Sequence, residues 1–436
     1  MPSSKQQPEL SISVKTDPSR SLLTRRNLLA ASAINGFGFI LVTVSNILWY
    51  YLIVRNYSGV ESGNLLLAMS VAGMINLLDL GTSMGLTRMI SMNELPSHRN
   101  LAVTAFQSSI LVGLSLQFAV GSAAVFIWAS LANSDASLWT CGAIIVFAVS
   151  TQAVLLCVSA LKGLCDFKAS NLVSTFSASL VYGTGAALAA FGNNVWLVFI
   201  TMSIVQMLVG VVAIQFTHGR FRTYNWVYPD ASKLVRSYIS LLRSSLAFAP
   251  QMMTGIFFMH AQRFIIARYS GIESVAIVSF AYSVATRIHS LVNAFLEVIF
   301  PLAAKLREQG HGGFFILKIG LISALSYMMM ATFIVIVAHF IVPEFQLTFG
   351  VFALGGAFAI AAAPAFHLLN GNGASLLVSI SSFISPFLFV VAAEVIYLAF
   401  QPLGNLLLPT AYAITMATML ALVSILAWCH LRSYSH

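Results

Sequence analysis

Two arginines, three carboxylates and two histidines lie in stretches of this sequence that are otherwise almost wholly apolar: Arg263 and Arg287, Asp79, Glu297 and Glu394, His260 and His289. Their types limit the chemistry on offer. A guanidinium presents a planar fork of donors that can clamp a phosphate through two parallel hydrogen bonds. A carboxylate in an apolar segment relays protons or holds a cation. The sequence has no GxxxxGK[ST] phosphate loop, no HExxH helix and no Cys/His cluster at zinc spacing. Its four cysteines (141, 157, 165 and 429) form no CxxC pair and read as small apolar fillers. This inventory fits binding and movement of a solute, with no cofactor or metal, better than it fits catalysis.

The charge that matters most is Arg287. Stepping 100 degrees per residue along its segment puts Tyr282, Ser283, Thr286, His289, Ser290, Asn293 and Glu297 between about 200 and 320 degrees from it. Ile288, Leu291, Val292, Phe295, Val298 and Ile299 fall between about 20 and 140 degrees. One half of the helix is polar and the other apolar. Either the polar half lines a water-accessible cavity, or Arg287 forms an ion pair with a carboxylate on a neighbouring helix. A single pair does not need a whole polar stripe, so the cavity is the expectation. A weaker stripe of Ser32, Asn35, Thr43, Asn46 and Tyr50 admits small-residue helix packing equally well. Arg263 and His260 are further candidates for the cavity wall. Asp79, Glu297 and Glu394 are the candidate ion-coupling sites, although each alone also reads as a cap, an ion pair or an interface residue.

What must position these groups is a set of membrane helices. Of 436 residues, 58% are hydrophobic and 8% charged, against roughly 25% charged in soluble domains. Twelve stretches reach the roughly 20 apolar residues that cross a bilayer: 29–53, 64–87, 101–130, 138–161, 170–191, 194–216, 245–267, 275–301, 314–341, 350–369, 374–399 and 406–429. With the N-terminus in the cytoplasm, 18 of the 22 Lys and Arg fall on cytoplasmic segments, as the positive-inside rule requires. The net charge of +9 is therefore a topology signal and implies no nucleic-acid partner. Trp49, Tyr50, Tyr51, Trp128, Trp139 and Trp196 fall at outer boundaries, where aromatic belts form. Residues 1–27 are polar, read as a cytoplasmic tail, and show no cleavable signal pattern.

The chain also repeats itself. Tyr57-Ser58-Gly59-Val60-Glu61-Ser62 matches Tyr269-Ser270-Gly271-Ile272-Glu273-Ser274 at five of six positions, and Ala68–Ala72 matches Ala281–Ala285 one residue out of that register. The prediction is an all-α polytopic membrane protein: about 12 transmembrane helices in two pseudo-symmetric six-helix lobes around a central cavity. The lobes are residues 28–217 and 245–431, joined by a basic cytoplasmic loop over 218–244 and followed by a short tail at 432–436. Substrate sites in such proteins lie between the repeats.

One stretch adds a resemblance. Asp79-Leu80-Gly81-Thr82-Ser83-Met84-Gly85-Leu86-Thr87-Arg88 resembles the end of the second span in the polysaccharide transporter family, the Wzx-type O-antigen flippases. Ser58–Gly63, Pro301-Leu302-Ala303 and Leu368–Gly373 are similar to other parts of that pattern. The resemblance marks Asp79, Gly81, Gly85 and Arg88 as motif positions. It implies a two-lobed alternating-access transporter in the bacterial cytoplasmic membrane that carries undecaprenyl-pyrophosphate-linked oligosaccharide from the inner to the outer leaflet, driven by an ion gradient. The cargo would be an O-antigen, capsule or exopolysaccharide unit. By this resemblance Arg287 and Arg263 would meet the pyrophosphate or acidic sugars; His289, Asn293 and His260 join them as candidate substrate-binding residues from the reading of the helices themselves. Membrane lipids, a polysaccharide polymerase and chain-length proteins would be partners.

Three other readings stay open. A multidrug exporter of the same superfamily would carry buried carboxylates for organic cations and few buried arginines. A lipid II flippase would typically add two spans. A glycan polymerase or ligase would need a large outer loop bearing paired carboxylates or His and Arg.

Overall fold

The structure, a computed structural model, describes residues 25–92, 99–131, 138–164, 166–221, 230–246, 248–296, 312–341, 345–371, 375–399 and 404–432. Among the described residues every regular element is helical. The first lobe comprises α1 (Arg25–Asn56), α2 (Gly59–Ile75), α3 (Thr82–Met92), α4 (Arg99–Ser108), α5 (Leu114–Leu131), α6 (Leu138–Gly163), α7 (Phe167–Ala190) and α8 (Val195–Phe221). A linker helix follows, α9 (Ala231–Ser245). The second lobe comprises α10 (Ala249–Ile256), α11 (Gln262–Ser270), α12 (Ile272–Leu296), α13 (Gly312–Ile341), α14 (Phe345–Gly371), α15 (Ser375–Ala399) and α16 (Leu407–Arg432). Among the described residues eleven helical segments are long and apolar enough to cross a membrane. The twelfth expected span is α10 and α11, joined by a π turn at Phe257–Ala261. Side chains such as Phe126, Met329 and Leu398 present large apolar surfaces outward, as lipid-facing positions do.

Two expectations need correction. The second span does not run unbroken over 64–87. It narrows to a 3₁₀ turn at Asn76–Asp79 and breaks where Leu80 (φ 45°) and Gly81 (φ 82°) turn left-handed. That conformation costs a side-chain-bearing residue roughly 1–2 kcal/mol, which is why glycine serves at the second position. The other correction concerns the linker, of which 231–245 is a helix and not a loop. Tyr238, Leu241 and Ser245 of α9 are buried against the first lobe, while Lys233, Arg236 and Arg243 are exposed. This is the amphipathic pattern of a helix lying at an interface. Residues 222–229 of the linker, the polar tail over 1–24 and Pro301-Leu302-Ala303 lie outside the described residues.

The lobes meet through few elements. α1 and α2 of the first touch the π turn, α11 and α12 of the second, and the 3₁₀ turn at Asn76–Asp79 touches α10. The two copies of the repeated turn come together at one end of this contact. Ser58 caps α2 in a capping box with Glu61. Behind that cap Gly59 approaches Glu273 so closely that a Cβ on it would lie 3.1 Å from the Glu273 Cβ. Gly63 has no room for any side chain against the Ile272 backbone. Pro364 and Pro386 sit within α14 and α15, whose helical assignment continues through both.

Candidate functional site

Between the lobes lies a cavity of about 450 Å³. The first lobe contributes Asn46 and Tyr50 from α1, Met69 and Gly73 from α2, and Thr151, Ser177, Tyr182 and Gln206 from α6 to α8. The second lobe contributes His260 and Arg263, and a stripe of α12: Ser279, Tyr282, Ser283, Thr286, Arg287, His289 and Ser290. These are the polar positions of the helical wheel, extended one turn by Ser279. Ile288 and Val292, on the opposite half, are buried in the core. The Asn293 side chain and all of Glu297 lie outside the described residues.

Among the described residues the charge on this wall has one sign. Arg263 and Arg287 line the cavity with His260 and His289, and no Asp or Glu is among the described lining residues. The ion pairs among the described residues are Arg220–Asp166 and Lys233–Asp230, and none of the four lines the cavity. The alternative for Arg287, an ion pair across helices, therefore has no described partner. Tyr182 lies within electrostatic reach of both guanidiniums. The Nδ1 atoms of His260 and His289 are buried without a hydrogen-bond partner.

The two arginines stand in different surroundings. Arg263, 7% exposed, reaches across the lobe boundary. Its Nη2 donates to the Tyr50 hydroxyl at 2.6 Å, and its Nη1 to the Ser70 hydroxyl at 3.1 Å and the Leu66 carbonyl at 3.2 Å. One arginine of the second lobe thus ties α1 and α2 of the first. Ser283 adds a second link by donating to Asn46 Oδ1 at 2.6 Å. Arg287 is half-buried and hydrogen-bonds to no described residue, so its donors remain available to a ligand.

The carboxylate candidates fall elsewhere. Glu394 on α15 accepts the Tyr269 hydroxyl at the end of α11, away from the cavity. Asp79 lies at the break between α2 and α3, beside a small separate pocket. The motif around it has a packing role: Gly81 and Gly85 let the end of α9 approach. A Cβ on Gly81 would lie 2.8 Å from the Ser245 carbonyl, and one on Gly85 would collide with the Ser245 side chain. Arg88 is exposed on α3. The sequence reading missed Gln117, Gln152 and Gln206, because an uncharged amide in a long apolar run gives no periodic signal.

No protein-family profile and no curated protein matches the sequence. Solved structures do match its fold. One is the inward-facing form of a multidrug-resistance MATE-family transporter of the MOP superfamily, at 14% identity over 90% of this chain and 95% of that one, with a TM-score of 0.61. Its outward-facing counterpart gives a TM-score of 0.51 at 14% identity, covering 91% and 96%. A eukaryotic MATE transporter gives 0.53 at 12% identity, covering 92% and 95%. This chain has the MATE-like fold. It is a polytopic all-α membrane protein with two lobes about a central cavity.

Proposed function

We propose that this protein is an alternating-access flippase for an anionic, lipid-linked cargo, an undecaprenyl-pyrophosphate-linked oligosaccharide, in the bacterial cytoplasmic membrane. The observation that carries the reading is the cavity wall, which among the described residues holds two arginines and no carboxylate. Such a wall attracts a pyrophosphate and repels an organic cation, which disfavours the drug-exporter reading. The lipid-linked sugar as the particular anion rests on the resemblance of the Asp79–Arg88 stretch to the polysaccharide transporters.

In this mechanism the cargo enters while the lobes are joined at the end that carries the 57–58 and 271 turns. By charge distribution that end faces outward and the cavity faces the cytoplasm. Arg287 takes the phosphate with its free fork, since bidentate charge-assisted bonds are the strong ones. The hydroxyl oxygens of Ser290 and Thr286, whose protons go to their own helix backbone, accept from the sugars, and the lipid tail stays in the bilayer. Release of the Arg263 bonds lets the outer end part. The test is complementation of a bacterium lacking its own O-unit or capsule flippase. Restored surface polysaccharide supports the reading. Failure with several repeat-unit types, at normal membrane levels, removes the lipid-linked sugar as cargo.

A further inference from the structure

The linker helix α9 has three faces, and the first lobe covers one of them. With Val235 at zero and 100 degrees per residue, Tyr238, Leu241 and Ser245 fall between about 240 and 300 degrees. These three are buried, where α9 packs on α3 and α4. Val235, Leu246 and Ile239 fall between about 0 and 40 degrees. All three are exposed apolar side chains. Arg243, Arg236 and Lys233 fall at about 80, 100 and 160 degrees, and they too are exposed.

The basic face is short of counter-charge. Asp230 is paired with Lys233 at 3.8 Å, and Asp166 with Arg220 at 3.5 Å. Arg236 and Arg243 make no ion pair among the described residues. They stand about two turns apart on one side of the helix, with the exposed Ser240 between them along the chain. Two guanidinium forks and a hydroxyl in a row are donors suited to phosphate oxygens.

The angle between the apolar and basic faces decides what kind of partner carries those oxygens. The two arginines stand about a quarter-turn from the apolar edge, and not opposite it. In a helix lying on a membrane, the apolar edge enters the acyl region and flanking basic side chains reach the headgroup level. Charges opposite the apolar edge would instead point into water, toward a soluble partner.

We propose that α9 is a binding site for anionic phospholipid headgroups, with phosphates on Arg236 and Arg243 and acyl chains against Val235, Ile239 and Leu246. The leaflet is the one that the charge distribution assigns to the cytoplasm. Gly81 and Gly85 seat the end of α9 on the first lobe, and α10 opens the second lobe at Ala249. Headgroup binding therefore anchors the joint between the lobes to one leaflet. This site is independent of the cargo and of the cavity that holds it.

The experiment uses the full chain, freed of native cysteines, with a fluorophore on Val235→Cys, in phosphatidylcholine nanodiscs. A fixed fraction of nitroxide-labelled phosphatidylglycerol or nitroxide-labelled phosphatidylcholine is included. The ratio of quenching by the two lipids reads the preference for the anionic headgroup at α9. A basic residue near an anionic surface contributes roughly fivefold, so the two arginines should give a preference of about 5- to 25-fold at low salt. Arg236→Gln with Arg243→Gln should bring it within about twofold of unity, and the corresponding pair of lysines should keep most of it. Both arginines are exposed, so the melting temperature in pure phosphatidylcholine should not change in either pair. A fluorophore on Leu208→Cys, exposed in the middle of α8, should show no preference. Equal quenching by the two lipids at Val235→Cys would overturn the site and leave the face to a soluble partner. A preference undiminished in the glutamine pair, or equally strong at Leu208→Cys, would overturn it as well.

Discussion

Removing one hydroxyl should loosen the contact between the lobes. Arg263 holds Tyr50, Ser70 and Leu66 across the lobe boundary through three hydrogen bonds from a buried guanidinium. The shortest, to Tyr50 at 2.6 Å, is lost in Tyr50→Phe with little change of shape. A hydrogen bond to a charged group contributes about 1.5–3 kcal/mol. At about 1.4 kcal/mol per tenfold, the ratio of closed to open lobes at that end should fall roughly 10- to 150-fold. The population is read through Ser279→Cys, at a cavity position 2% exposed, in a background freed of native cysteines. A membrane-impermeant maleimide is confined to the side carrying the 57–58 and 271 turns. It reaches that cysteine only through the open end, so the labelling rate follows the open population. Tyr50→Phe should raise the rate by the stated factor, and Arg263→Ala by more.

The control is a disulfide between Gly59→Cys and Glu273→Cys. A Cβ at 59 lies 3.1 Å from that of Glu273, so the bridge needs only a few tenths of an ångström of adjustment. It should abolish labelling in every variant. A wild-type rate in Tyr50→Phe, with the disulfide still blocking the reagent, would show that Arg263 does not latch the lobes.

Further outcomes follow from the same geometry. Gly63→Ala places a methyl group against the Ile272 backbone, so it should open the same end and raise Ser279→Cys labelling without lowering membrane levels. Gly81→Ala combines a left-handed φ of 82° with a close approach to the Ser245 carbonyl. It should lower the melting temperature by a few degrees, the cost being about 1–2 kcal/mol for the conformation alone. Arg287→Lys keeps the charge but loses the planar fork, so transport should fall about 10-fold while membrane levels stay normal, as measured by surface polysaccharide. Glu394→Gln keeps a partner for Tyr269 and lies outside the cavity, so it should leave transport within about twofold of wild type.

The α12 stripe was legible from the sequence because a cavity-facing helix must alternate polar and apolar halves with a 3.6-residue period. The repeated Tyr-Ser-Gly turn was also legible, although its consequence, that the two copies meet between the lobes, needed coordinates. Three features were hidden. The break after Asp79 depends on a leucine in a left-handed conformation, which residue type does not announce. The linker helix is too short and charged for a span, and it folds because Leu241 and Tyr238 find a surface that Gly81, Gly85 and Gly113 leave open. Arg263 reads in sequence as a companion of Arg287 on the cavity wall. Its surroundings make it a tie between lobes as well, because Tyr50 and Ser70 lie about two hundred positions away in the chain.

The most direct test of the anionic-cargo claim uses purified protein in liposomes that contain a labelled undecaprenyl-pyrophosphate-linked oligosaccharide. The measured quantity is the rate at which sugar in the far leaflet becomes accessible to an added glycosidase. Movement by the wild type well above protein-free liposomes is expected, with a rate near that background for Arg287→Ala and an intermediate rate for Arg287→Lys. Equal rates for wild type and Arg287→Ala, or no movement by the wild type, would contradict the claim.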